Sequence, residues 1–113
     1  MLIKIEIELN VTKEDIEEII EMAGYGIAYW ADEAIVKDDG YVIHEEEDDK
    51  WHELGYEDIL KGIELYIKNG NVPYGILSQD IISEKMIINT GNVDSDVADM
   101  IIQYACFGEI EYC

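Results

Sequence analysis

The chain has 113 residues, 49% of them hydrophobic, and its 27 acidic residues stand against seven lysines and no arginine, giving a formal charge of −20 at pH 7. That length suits one domain, residues 1–113, with a core of its own, and the apolar content with a single proline excludes a disordered chain. A field this negative, with no guanidinium fork to grip phosphate, excludes direct binding to nucleic acid and to anionic membrane surfaces.

Ile3, Ile5, Ile7 and Leu9 alternate with Lys4, Glu6 and Glu8, the period of a strand with one wet face. This opening is not the apolar core of a signal peptide, and no apolar run approaches the ~20 residues that span a bilayer. The expected location is therefore the cytoplasm. Thr12 stands as an N-cap with Asp15 three residues on, and Val11 and Ile16 occupy staple positions, so a helix is expected to start at Lys13. Ile16, Ile19, Ile20 and Ala23 form its apolar stripe, and Gly24 and Gly26 mark its end.

Residues 27–46 hold two β-rich stretches joined by Asp38, Asp39 and Gly40, which predicts a hairpin. Beyond an acidic run over 45–49, Tyr56, Ile59, Leu60, Ile63, Tyr66 and Ile67 recur at helical spacing, and Lys68, Asn69 and Gly70 close that second helix. Residues 72–90 have a mixed pattern that admits a short helix at 76–82. The last helix is expected to run from near Asp94 to about Phe107, apolar on most sides, before Gly108 and a closing strand over 109–113. The predicted fold is α+β: a mainly antiparallel sheet of N-terminal strand, central hairpin and C-terminal strand, with two long helices and one short one packed on one face.

On the first helix, Glu14, Glu17, Glu18 and Glu21 line up at three- and four-residue spacing. Each like-charged pair there costs about 0.2–0.5 kcal/mol, which Lys13 alone does little to relieve. One reading is a solvated face. The other joins these acids to Glu45, Glu46, Glu47, Asp48 and Asp49 in a surface that imitates nucleic-acid phosphates. Duplex DNA carries one charge per about 1.7 Å, so twenty charges match about 34 Å of duplex, close to the breadth of a globule of this length. Trp51, beside the acidic run, is the best exposed aromatic anchor for a partner protein, whereas Trp30 and Tyr104 suit the core.

Asp94, Asp96 and Asp99 lack the remaining ligands and the glycine of an EF-hand loop and read as acids at a helix start. His44 and Glu45 begin a sequence like HExxH, but position 48 is aspartate and the stretch reads as strand, where that spacing does not converge on a metal. Ser78, Ser83, Ser95, His44 and His52 form no nucleophile setting, and no glycine-rich phosphate loop is present. Cys106 and Cys113 match no metal or redox spacing and are expected to be free thiols. No catalytic residue, metal or cofactor is therefore expected.

Three segments, AYW at 28–30, DILKGIELYIK at 58–68 and DSDVADMIIQYACFGEIEYC at 94–113, resemble a family of small proteins encoded by phages, prophages and plasmids. The last is the most specific, through Asp94, Ala98, Asp99, Gln103, Phe107, Gly108, Glu109 and Tyr112. Members of that family often carry asparagine before Tyr-Trp and end in glycine, where this chain has Ala28 and Cys113. The resemblance implies a mobile-element setting and brings no catalytic residues.

Small acidic proteins in such settings are often inhibitors of host nucleases or restriction systems, some by imitating DNA, so the expected function by analogy is counter-defence. The expected partner is a host protein with a basic nucleic-acid-binding surface, engaged in the host cytoplasm, and a homodimer could extend the acidic face. The alternative is a docking module that uses apolar and aromatic surface and keeps its acidity for solubility.

Overall fold

The computed structural model describes residues 1, 8–69, 72–80, 82 and 85–113. Of the expected first strand, Leu9–Asn10 forms β1, and residues 2–7 lie outside the described residues. The helix α1, Lys13–Gly26, starts where the Thr12 signal places it. Thr12 Oγ1 accepts from the Asp15 amide at 3.1 Å and Asp15 Oδ2 accepts from the Thr12 amide at 2.9 Å, so two donors that a helix start leaves unpaired are satisfied reciprocally.

The hairpin is β2, Ala31–Lys37, and β3, Gly40–Glu45, and a third strand β4, Lys50–Gly55, extends it into an antiparallel sheet in the order β2-β3-β4. That third strand is not in the sequence reading, because only Leu54 of its six residues is buried and a strand with one core contact has little hydrophobic alternation to show. Its register is nonetheless regular, with Leu54 opposite Tyr41 and His52 opposite Ile43.

The helix α2, Tyr56–Asn69, follows directly, and α3, Ser95–Phe107, starts on an Asp94 cap that accepts from the Val97 amide at 2.8 Å. It stops at Gly108, whose φ of 74° is the left-handed turn that glycine takes without strain. The short helix expected at 76–82 is a strand instead, β5, Leu77–Gln79, paired with β6, Met86–Ile88. β6 also pairs in parallel with β1, so the strands form two three-stranded sheets rather than one.

The expected closing strand over 109–113 joins neither sheet. The architecture is α+β, with three α-helices of 14, 14 and 13 residues among the described residues in place of two long and one short. All three, both sheets and Trp30 contribute to one buried cluster, centred on Ile19, Ile59, Ile101 and Ile102. The β2-β3-β4 sheet turns Tyr41, Ile43 and Leu54 toward that cluster. By strand alternation its opposite face carries Val42, His44, Trp51 and Glu53.

Candidate functional site

The acids singled out in the sequence fall into two separate places. Glu14, Glu17, Glu18 and Glu21 all lie exposed along α1, because Ile16, Ile19, Ile20 and Ala23 take the other side of the helix into the core. This stripe has neighbours that the helix sequence does not reveal. Tyr56 donates its hydroxyl to the Asp38 carbonyl at 3.0 Å and toward Glu17 at 3.4 Å, while Lys13 Nζ lies 5.9 Å from the centre of the Tyr56 ring. Thr90 donates to Glu18. Lys37 arrives from the hairpin, and together with Lys13, Glu17, Glu21 and Tyr56 it lines an open groove of about 580 Å³. The stripe is therefore partly balanced along one flank.

The second group sits at the far end of β3, five residue steps or about 17 Å from the Gly40 end that neighbours Asp38 and the α1 groove. Here Glu46, Glu47, Asp48 and Asp49 form an exposed turn between β3 and β4, with Asp49 at a φ of 51°. Glu109 and Glu111 of the C-terminal tail join them. Glu111's carboxyl is held above the usual carboxylate range, first by its hydrogen bond with Glu109, then by partial burial and by the charges of Glu109, Glu45 and Asp48. Turn and tail thus share one negative field, an acidic cap drawn from two distant stretches of chain.

Glu45 does not belong to the exposed surface expected of it. It is 2% exposed, accepts the Tyr112 hydroxyl, and meets His52 Nε2 at 3.0 Å. Burial opposes its charge, but the hydrogen bonds from Tyr112 and His52 outweigh that and hold its carboxyl below the usual range. The reason is strand parity: Glu45 points to the same face as Tyr41 and Ile43, so the residue that opens the acidic run in sequence faces inward.

His44, on the outward side, bridges two carboxylates, with Nδ1 2.5 Å from Asp32 and Nε2 2.8 Å from Asp49. Both ring nitrogens then face acceptors, which favours the doubly protonated ring. The bonds to Asp32 and then to Asp49 accordingly raise its pKa. Trp51 stands 53% exposed with its ring 4.7 Å from His44, so the expected aromatic anchor is at the surface, next to the acidic turn.

Beneath the cap lies a polar clasp that sequence reasoning did not assemble. Asp94 is the cap of α3 and Asp96 lies exposed in its first turn, as helix-start acids do, but Asp99 is 7% exposed and its carboxyl is turned inward. It accepts Trp30 Nε1 at 2.8 Å, the Tyr29 hydroxyl at 2.6 Å and Gln103 Nε2 at 3.0 Å. Three donors satisfy a carboxylate that makes no salt bridge among the described residues. Burial and then the bond to Asp99 push the Tyr29 hydroxyl well up from its ordinary value.

Gln103, fully buried, also accepts the amides of Glu111 and Tyr112 at 2.9 Å each, and its Nε2 lies 3.1 Å from the Tyr112 carbonyl. The side chain amide does for the tail what a neighbouring strand would have done, which is why no closing strand forms. Tyr112 then stacks flat on Trp30, with centroids 5.4 Å apart and planes 1° from parallel. A signal was present in the sequence: Tyr29, Trp30, Asp99, Gln103, Phe107 and Tyr112 all lie in the segments 28–30 and 94–113 singled out above, and here they converge.

Among the described residues no group of three or more His, Cys, Asp or Glu side chains is placed to hold a metal ion, and no helix is long and apolar enough to cross a membrane. Both cysteines are free. Cys106 is half-buried, its thiol pushed up to about 12 by burial, and Cys113 is exposed. Compared with protein-family models, curated proteins and solved structures, the chain gives no match.

Proposed function

We propose that this chain is a counter-defence protein of a phage or other mobile element, which inhibits a host nuclease, CRISPR or restriction component by occupying its basic nucleic-acid channel with acidic surface. The observation that carries this reading is the acidic cap. Glu46, Glu47, Asp48, Glu109 and Glu111 are all exposed, and the carboxyl of Glu111 is held up first by its hydrogen bond with Glu109, then by desolvation and by the charges of Glu109, Glu45 and Asp48. Like charges gathered this closely oppose folding, and a cationic partner relieves the repulsion.

The α1 stripe supplies a second acidic patch, whose groove is bordered by Asp38 at the opposite end of β3 from the acidic turn. The molecule measures 45 Å in its longest direction, so its 20 net charges average one per about 2.3 Å against about 1.7 Å in duplex DNA. That comparison counts charge on every side and sets an upper bound for one face.

The test is displacement of fluorescent duplex from a candidate host nuclease by the purified chain. The expected result is competitive displacement that weakens steeply with added salt, because adjacent unlike charges are being screened. A complex that is insensitive to salt and still binds DNA would instead favour the docking reading, for which the exposed Trp51 is the specific support.

A further inference from the structure

β2 is an edge strand: its one ladder neighbour is β3. Residues 32–37 are all exposed, Ile35 at 43% and Val36 at 66%. Among the described residues nothing pairs with the outer edge of this stretch, so it presents a row of unmade backbone hydrogen bonds beside apolar side chains. The register shift of β2 lies between Ala31 and Glu33, and the stretch from 33 to 37 pairs regularly with β3. With no register shift inside it, that stretch offers a continuous free edge to a further strand.

An isologous contact between two copies constrains how that strand can pair. A two-fold axis through an antiparallel pair runs normal to the sheet, midway between a residue and its own copy. Centring the axis on Ala34 sets Glu33 against Ile35 and Lys37 against Ala31. Centring it on Val36 sets Ile35 against Lys37 and Glu33 against Asp39. Centring it on Ile35 sets Glu33 against Lys37 twice, Ala34 against Val36 twice, and Ile35 against itself. In this register all five positions of the regular stretch meet a complementary residue on both faces of the sheet, and cross-strand pairs of these kinds stabilise a ladder.

We infer that two copies of this chain associate through antiparallel pairing of β2 with β2, with Ile35 on the two-fold axis, to form a continuous six-stranded sheet. A second copy fits this edge because the edge is complementary to itself in charge and in apolar pattern, despite the large net charge of each molecule. The contact is small, so the dimer is a weak one. It forms without reference to any target and is independent of the function proposed above.

Sedimentation equilibrium up to high micromolar concentration tests this at about 0.15 M salt, where screening over about 8 Å mutes the repulsion between whole molecules more than the contact between opposed side chains. The expected mass at high concentration is twice 12.9 kDa. Glu33→Lys and Lys37→Glu each set like charges opposite one another at two places and are expected to weaken dimerisation roughly tenfold. Both residues are exposed, so each variant should fold, which far-ultraviolet circular dichroism checks. Mixing the two single variants, or combining both changes in one chain, restores unlike pairs and should restore association. A wild-type chain that stays monomeric overturns the inference. So does a dimer that neither single variant weakens, or a mixture that associates no better than its components.

Discussion

Replacing Gln103 with leucine keeps most of the buried volume and removes the polar ends of the side chain, so it isolates what the clasp contributes. In the structure Gln103 Nε2 reaches Asp99, the Tyr29 hydroxyl and the Tyr112 carbonyl, and Oε1 accepts two amides. The amide has two hydrogens and an oxygen with two lone pairs, so at most four of these bonds form at once; three neutral ones at about 1 kcal/mol and one to a carboxylate at about 2 kcal/mol sum to about 5 kcal/mol. That sum is too large, because the tail has a cheaper response: it peels away and returns its backbone groups to water.

Three losses then remain. Asp99 keeps two donors of three, and buried Glu45 keeps His52 but loses the Tyr112 hydroxyl, each a loss of about 1.5 kcal/mol for a hydrogen bond to a charged group, while Trp30 loses the stacked face of Tyr112, worth about 1–1.5 kcal/mol beyond area. The expected destabilisation is about 4 kcal/mol, or a melting temperature roughly 15–20 °C lower for a chain of this size. Urea unfolding followed by tryptophan fluorescence measures it, and carboxypeptidase digestion of the native protein reports tail release. A loss below about 1 kcal/mol with the tail still protected would refute the clasp as an energetic element.

Glu17→Lys converts two like-charged helix pairs, with Glu14 and Glu21, into unlike ones and makes one new like pair with Lys13. Stability by thermal melt should stay within about 0.5 kcal/mol of the wild type, while displacement of DNA from a host target weakens. Gly62→Ala places a Cβ 2.5 Å from the Ile101 carbonyl oxygen and 2.9 Å from the Ala105 Cβ. The α2–α3 crossing must then open, at an expected cost of about 2–3 kcal/mol in urea unfolding, and an unchanged midpoint would show that the crossing is slack. His44 has a raised pKa in the folded state, so its contribution to stability is present below its ordinary value of 6.5 and is lost as pH rises through the folded value. An NMR titration of the imidazole should give a midpoint above 6.5, which Asp32→Asn brings down. A wild-type midpoint at or below 6.5 would show that the two-carboxylate bridge does not persist in solution.

What the sequence determined by itself was local. Helix starts at Lys13 and near Asp94 could be read because capping is a contact between residues three apart, and the end of α3 because glycine accepts the left-handed turn that closes it. The hairpin turn at residues 38–40 follows from its aspartate-glycine pair, and the inward stripe of α1 and the outward row of Glu14, Glu17, Glu18 and Glu21 follow from periodicity.

Tertiary structure alone decided the rest, since the deciding contacts join residues far apart in the chain. Glu45 and Glu46 are adjacent acids, yet strand parity and pairing with β4 bury one and expose the other. Asp99 resembled its neighbours Asp94 and Asp96 until Tyr29 and Trp30, about seventy positions earlier, supplied its donors. The tail at 109–113 alternates like a strand, but a strand needs a neighbour with free backbone groups, and the partner that the fold provides is the amide of Gln103. The division of the acids into an α1 stripe and a cap is likewise a matter of distance in space, because sequence order records which charges exist and packing decides which of them face one another.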